Sequence, residues 1–96
     1  MKKDEILLKL KQNKSELKKF GVKKIGLFGS YVKDSQNEES DIDFIVEFME
    51  GHKTFDNFMD LKFFLEDTFE KEIDLVTRES IKPAYNKTIM ESVEYV

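Results

Sequence analysis

Cysteine is absent from the chain, which excludes a disulfide framework and a thiolate metal site. No apolar run approaches the roughly 18 residues of a membrane-spanning helix. The charged amino-terminal stretch also lacks the apolar segment of a secretory signal. Both absences fit a cytoplasmic protein with no membrane association. Histidine occurs once, at His52 beside Gly51 in a polar stretch. A lone loop histidine implies no co-ligands and reads as solvent-exposed. Positive charge becomes scarce after residue 24. Residues 1–24 carry nine lysines against three acids, a net +6, and residues 25–96 carry seven basic against seventeen acidic residues, a net −10. The lysines fall on an amphipathic pattern without interleaved aromatics or glycines, so a solvated helix face is the simpler reading than a basic binding patch. The acidic remainder argues against a general nucleic-acid binder.

What is present suffices for one small core. The chain has 96 residues, 40% of them apolar and nine of them phenylalanine. That predicts a single domain over residues 1–96 rather than disorder. A chain this short leaves much surface exposed, so a partner or a homo-oligomer is expected.

Ile6, Leu7, Leu10, Leu17 and Phe20 recur at near-helical spacing and predict a helix over about residues 4–20, with polar Asn13 and Lys14 interrupting its apolar face. Gly21 supplies the stop. "KKIGLFG", residues 23–29, reads as a short buried strand. "SYVKD" is compatible with one or two helical turns opening at Ser30, and "SQNEES" is a loop by composition. "DIDFIVEF", residues 41–48, is the clearest strand. Its alternation puts Ile42, Phe44, Val46 and Phe48 on one face and Asp41, Asp43, Ile45 and Glu47 on the other. Phe55, Phe58, Leu61, Leu65 and Phe69 form a helical stripe ending near Lys71, and "EIDLVT" is a third strand carrying Asp74. Pro83 suits the first turn of a last helix reaching about Val93. "EYV" closes with a short strand or frays. The order predicts an α/β fold: one small mixed sheet with helices packed on it.

An aspartate on a buried strand is costly unless something neutralises it. Asp41 and Asp43 leave the same face of one strand, roughly 6.5–7 Å apart along the backbone, and two unpaired carboxylates that close repel each other. A divalent cation reverses that balance, and Mg²⁺ suits one or two carboxylates completed by phosphate oxygens and water. Asp74 brings a third carboxylate if its strand is a neighbour. Three aspartates at strand ends suit two-metal, in-line phosphoryl or nucleotidyl displacement. The competing reading is that isolated D-x-D aspartates form turns, cap helices or meet lysines. Gly29-Ser30 tips the balance. It follows a strand where free backbone N–H groups can hold a phosphate, and glycine permits close backbone approach.

"LFGSYVKD…SDIDFIVEF" resembles the signature of the minimal nucleotidyltransferases of the DNA polymerase beta-like superfamily, usually G-S-x-A-R-G, a loop, then S-D-I-D-L. "FDNFMDLKFFLEDTFEKEIDLVT" and "ESVEYV" are similar to the corresponding later stretches, so the likeness covers most of the chain from Lys24. The resemblance implies that Asp41 and Asp43 bind metal and that Asp74 is the third carboxylate, which helps hold the catalytic metal and activates the attacking hydroxyl. It implies that Gly29 and Ser30 bind the triphosphate, with Lys33 nearby, and that Ser40 buttresses the strand entry. The implied cofactors are two Mg²⁺ ions, with ATP as nucleotide donor. "VKD" at residues 32–34 departs from the usual Ala-Arg-Gly: Lys33 supplies a point charge without the arginine fork, and Asp34 adds negative charge.

The resemblance further implies AMP transfer with pyrophosphate leaving. Ninety-six residues hold no separate acceptor-binding domain. Minimal nucleotidyltransferases of this kind are commonly antitoxins of a helical HEPN-domain ribonuclease toxin, some of them adenylylating a tyrosine on it, and that is the expected partner and acceptor. Two alternatives stand beside it: a binding module that neutralises its partner by association, and transfer to a small molecule with a second subunit completing the pocket. Tyr31 follows the phosphate-binding pair and either borders the nucleotide or packs. Tyr85 and Tyr95 read as structural, and Glu47 as too deep along its strand to coordinate a metal.

Overall fold

The computed structural model describes residues 2–29 and 41–96. Among these residues the helices and strands follow in chain order: α1 (Lys3–Gln12), α2 (Lys14–Lys19), β1 (Val22–Phe28), β2 (Ile42–Phe48), α3 (Phe55–Phe69), β3 (Ile73–Thr77), a 3-10 turn (Arg78–Ser80), α4 (Pro83–Ser92) and β4 (Glu94–Tyr95). The strands form one sheet in the order β3-β2-β1-β4, with β1 antiparallel to both β2 and β4, and β2 parallel to β3.

The expected first helix is broken in two at Asn13. Its side-chain amide donates to the Lys9 carbonyl (2.8 Å) and its backbone N–H donates to the Leu10 carbonyl (3.1 Å). An asparagine that bonds its own backbone in this way competes with helix continuation. The break re-aims α2 so that Leu17 still reaches the core beside Ile6 and Leu10 of α1. The other elements among the described residues lie within two residues of their expected bounds, and the terminal "EYV" does close with a strand, β4, whereas the turns expected in "SYVKD" and the loop "SQNEES" lie outside the described residues.

Alternation divides the sheet. Ile42, Phe44 and Val46 of β2 join Ile25 and Leu27 of β1 and Ile73 and Leu75 of β3, under Ile6, Leu10, Leu17, Leu61, Leu65 and Phe69 from the first three helices. Phe44 is fully buried, with its ring 5.5 Å from that of Phe69. α3 starts at Thr54, whose hydroxyl accepts from the Asn57 N–H at 3.1 Å, a side-chain cap on an otherwise unpaired donor.

The opposite face carries Asp43, Ile45 and Glu47, and its middle is not open. Gly26 pairs with Ile45 on one side and with Tyr95 on the other. The carboxy-terminal segment comes so near that a Cβ on Gly26 would meet Val93 Cγ1 at 2.6 Å and the Tyr95 ring at 3.0 Å. Ile45 is fully buried as a result. The aspartates therefore sit at the edge of a covered face. His52 is exposed as expected, with Nδ1 3.0 Å from the Glu50 carbonyl.

Phe44→Ala removes a fully buried ring and is expected to cost about 3–5 kcal/mol. Phe63, 57% exposed on the outer side of α3, should tolerate the same change within about 0.5 kcal/mol. Urea unfolding of the two variants checks this; equal losses would contradict the placement of the core.

Candidate active site

Two of the three predicted aspartates, Asp43 and Asp74, are positioned by backbone pairing. β2 and β3 run parallel from the same end of the sheet, and the ladder starts with the Ile42 N–H donating to the Glu72 carbonyl at 3.2 Å. In this register Asp43 stands directly opposite Asp74. Registered partners project to one side of a sheet, and neighbouring strands lie about 4.8 Å apart. Both carboxylates therefore leave the face opposite the helical core. Asp41 immediately precedes β2 and is exposed, as is Asp74, while Asp43 is half-buried.

β1 brings the third component. Its last residue, Phe28, pairs with Asp43, so the chain leaves β1 beside that carboxylate. Gly29 then turns with φ +79°, a left-handed conformation that favours glycine. A Cβ at Gly29 would fall on the Asp43 carboxylate, against Oδ2 and Cγ. The absent side chain is thus a steric condition for Asp43 to lie where it does. Ser30, Lys33 and Ser40, expected to bind the triphosphate or support the strand entry, and Tyr31 lie outside the described residues.

The donors are all carboxylate oxygens, hard ligands suited to Mg²⁺ rather than to a softer metal. Among the described residues, no three histidine, cysteine, aspartate or glutamate side chains lie close enough together to hold an ion. Strand register brings Asp43 and Asp74 side by side, and Asp41 lies two residues before Asp43, immediately ahead of β2. One or two carboxylates are what Mg²⁺ takes from a protein when phosphates and water complete its shell.

Further along the same face lie Glu47 and Tyr95. Glu47 is half-buried, two positions beyond Ile45. Burial, and then the charge of Glu47, push the Tyr95 phenol above its ordinary pKa, with Arg78 pulling the other way. Tyr95 is structural as expected, pairing in β4 with Gly26 on the aspartate side of the sheet.

Comparison with known proteins gives the family and the fold. The family model for the nucleotidyltransferase domain matches residues 5–96. A protein adenylyltransferase, MntA, of Thermococcus cleftensis is 39% identical over 94 residues, covering 97% of this chain and 94% of its own. A Methanocaldococcus jannaschii relative assigned as a protein adenylyltransferase is 43% identical over 90 residues, covering 91% and 90%. Among solved structures, one assigned to the minimal nucleotidyltransferases superposes with a TM-score of 0.83 at 23% identity, covering 98% of this chain and 95% of that one. A toxin–antitoxin crystal structure with AMP-PNP superposes with a TM-score of 0.68 at 22% identity, covering 99% and 72%. At such identities the structures speak for the fold, whereas the family model and the two relatives cover nearly the whole chain. The chain belongs to the nucleotidyltransferase domain family.

Proposed function

We propose that this protein is a Mg²⁺-dependent adenylyltransferase that moves AMP from ATP to a tyrosine of a helical HEPN-domain toxin, acting in the cytoplasm as the antitoxin of the pair. The observation that carries the reading is the register of Asp43 against Asp74 with Gly29 packed on the Asp43 carboxylate. Two kinds of likeness support the finer details. The Thermococcus relative is named a protein adenylyltransferase, and a structural neighbour is a toxin–antitoxin complex with AMP-PNP. The HEPN partner and the tyrosine rest on the family resemblance.

In this reading Asp41, Asp43 and Asp74 would hold Mg²⁺ together with triphosphate oxygens. Bound there, the metal would neutralise phosphate charge and lower the pKa of the acceptor hydroxyl. The protein's own tasks are positional. Gly29 and Ser30, at the end of β1, hold the phosphates against the carboxylates, and Lys33 adds a positive charge. Asp74, the exposed member of the registered pair, is open to an incoming tyrosine and takes its proton. The phenolic oxygen then bonds to the α-phosphorus, the bond from that phosphorus to its bridging oxygen breaks, and pyrophosphate leaves. Holding acceptor and triphosphate in line supplies much of the acceleration.

Incubation of the purified protein with its toxin, ATP and Mg²⁺ should add an AMP-sized mass to the toxin by intact-mass spectrometry. Chelation of the metal should abolish the gain. Asp43→Asn should slow transfer by roughly 100-fold or more. Neutralisation of the toxin with no mass gain would overturn the transferase reading in favour of simple association.

Gly29→Ala provides a test that leaves all three aspartates unchanged. The new Cβ would displace the Asp43 carboxylate and meet the positive φ, and a displacement of about 1 Å near reacting groups costs on the order of 100-fold. Single-turnover AMP transfer should fall accordingly while far-UV circular dichroism stays that of the parent. Transfer at the parental rate would show that Gly29 does not set the carboxylate position.

A further inference from the structure

A second concavity lies at the other end of β1. Phe28, at one end of the strand, faces Asp43, while Val22 at the other end faces Phe48. The separation along the strand is roughly 20 Å. There Leu17, Val22, Ile25 and Val96 line a pocket of about 160 Å³ together with Lys14, Lys18, Lys23 and Lys24. Four lysines and no acidic side chain line it. Among the described residues, Lys14, Lys18 and Lys23 have no carboxylate partner.

The backbone is built to gather this charge. Between Val22 and Lys24 the β1–β2 register slips by one residue, because Val22 pairs with Phe48 but Lys24 pairs with the adjacent Glu47. Lys23 is the extra residue of a β-bulge. In a regular strand Lys23 and Lys24 would leave opposite faces, whereas a bulge re-aims one side chain. Here both neighbours are exposed and both line the pocket. Lys24 is further placed by the Tyr95 ring, whose centroid lies 5.7 Å from its Nζ. Val96 is held by its N–H donating to the Ile25 carbonyl at 3.0 Å.

The pocket's chemistry selects among ligands. Its apolar residues and volume match one leucine-sized or ring-sized group, since a cavity of about 150 Å³ accommodates benzene. The lysines require negative charge around that group. A nucleic acid would supply the charge, but no aromatic side chain lines the pocket for its bases to stack on. An acidic peptide with one apolar anchor meets both requirements. The geometry points to a docking site for an acidic segment of a protein partner, anchored by a single Phe, Leu or Met side chain and flanked by Asp or Glu. This site is separate from the aspartates and does not depend on the transfer chemistry.

Selection of short random peptides displayed on phage against the intact protein, at physiological ionic strength, tests the inference. Recovered sequences should converge on one apolar residue between acidic ones. A selected peptide, labelled for fluorescence anisotropy, should bind about ten-fold or more weakly to Lys18→Glu/Lys23→Glu protein with unchanged far-UV circular dichroism and melting. Replacing its apolar anchor by Ala should weaken it comparably. Lys14→Gln/Lys18→Gln is the substitute pair if charge reversal perturbs folding. Failure to enrich any peptide, or undiminished binding to the lysine variants, would overturn the proposal. Tighter binding of an oligouridine RNA probe than of the selected peptide would instead make the patch a nucleic-acid surface.

Discussion

Parallel pairing of β2 with β3 is the constraint on which the site depends. It sets Phe44 against Leu75 on the helical side and Asp43 against Asp74 on the other. The two consequences cannot be separated, because side chains alternate along each strand. A slip of one residue would turn Ile42, Phe44 and Val46 out of the core and send the aspartates into it. The full burial of those three apolar residues therefore fixes the carboxylate pair. Packing energy on one face of the sheet is spent holding like charges together on the other.

The covered middle of the aspartate face has a related effect. A carboxylate in the dry centre of a sheet would be neutralised by protonation or left at high cost. Here Ile45 takes the dry position under the carboxy-terminal segment, and the aspartates occupy the strand starts, where Asp41 and Asp74 meet solvent and Asp43 is half-buried. Glycine serves both arrangements: Gly26 admits the segment that covers Ile45, and Gly29 admits the Asp43 carboxylate.

Charge is partitioned in space as well as along the chain. The amino-terminal lysines read from sequence as a solvated helix face. Most of those lysines are exposed, and several of them also surround an apolar depression at the end of β1 remote from the aspartates. An aspartate pair and a lysine-lined pocket at opposite ends of one strand can engage different chemistry without competing.

Local pattern alone determined much of this protein. Period-two alternation around Asp41 and Asp43, the apolar stripe of α3, Pro83 at the start of the last helix and the G-S…D-x-D spacing are contained within short windows of sequence, where side-chain periodicity reports backbone geometry directly. The break at Asn13 was foreshadowed by polar residues on the apolar face, but whether a helix bends or continues depends on what packs beneath it. Only the tertiary structure decided that β2 and β3 are neighbours, that Asp74 is in register with Asp43, that Gly29 turns onto that carboxylate, and that a bulge brings Lys23 and Lys24 to one pocket. These are relations between segments distant in sequence. They are set by the simultaneous burial of the three helices on one sheet, a condition that no short window of residues contains.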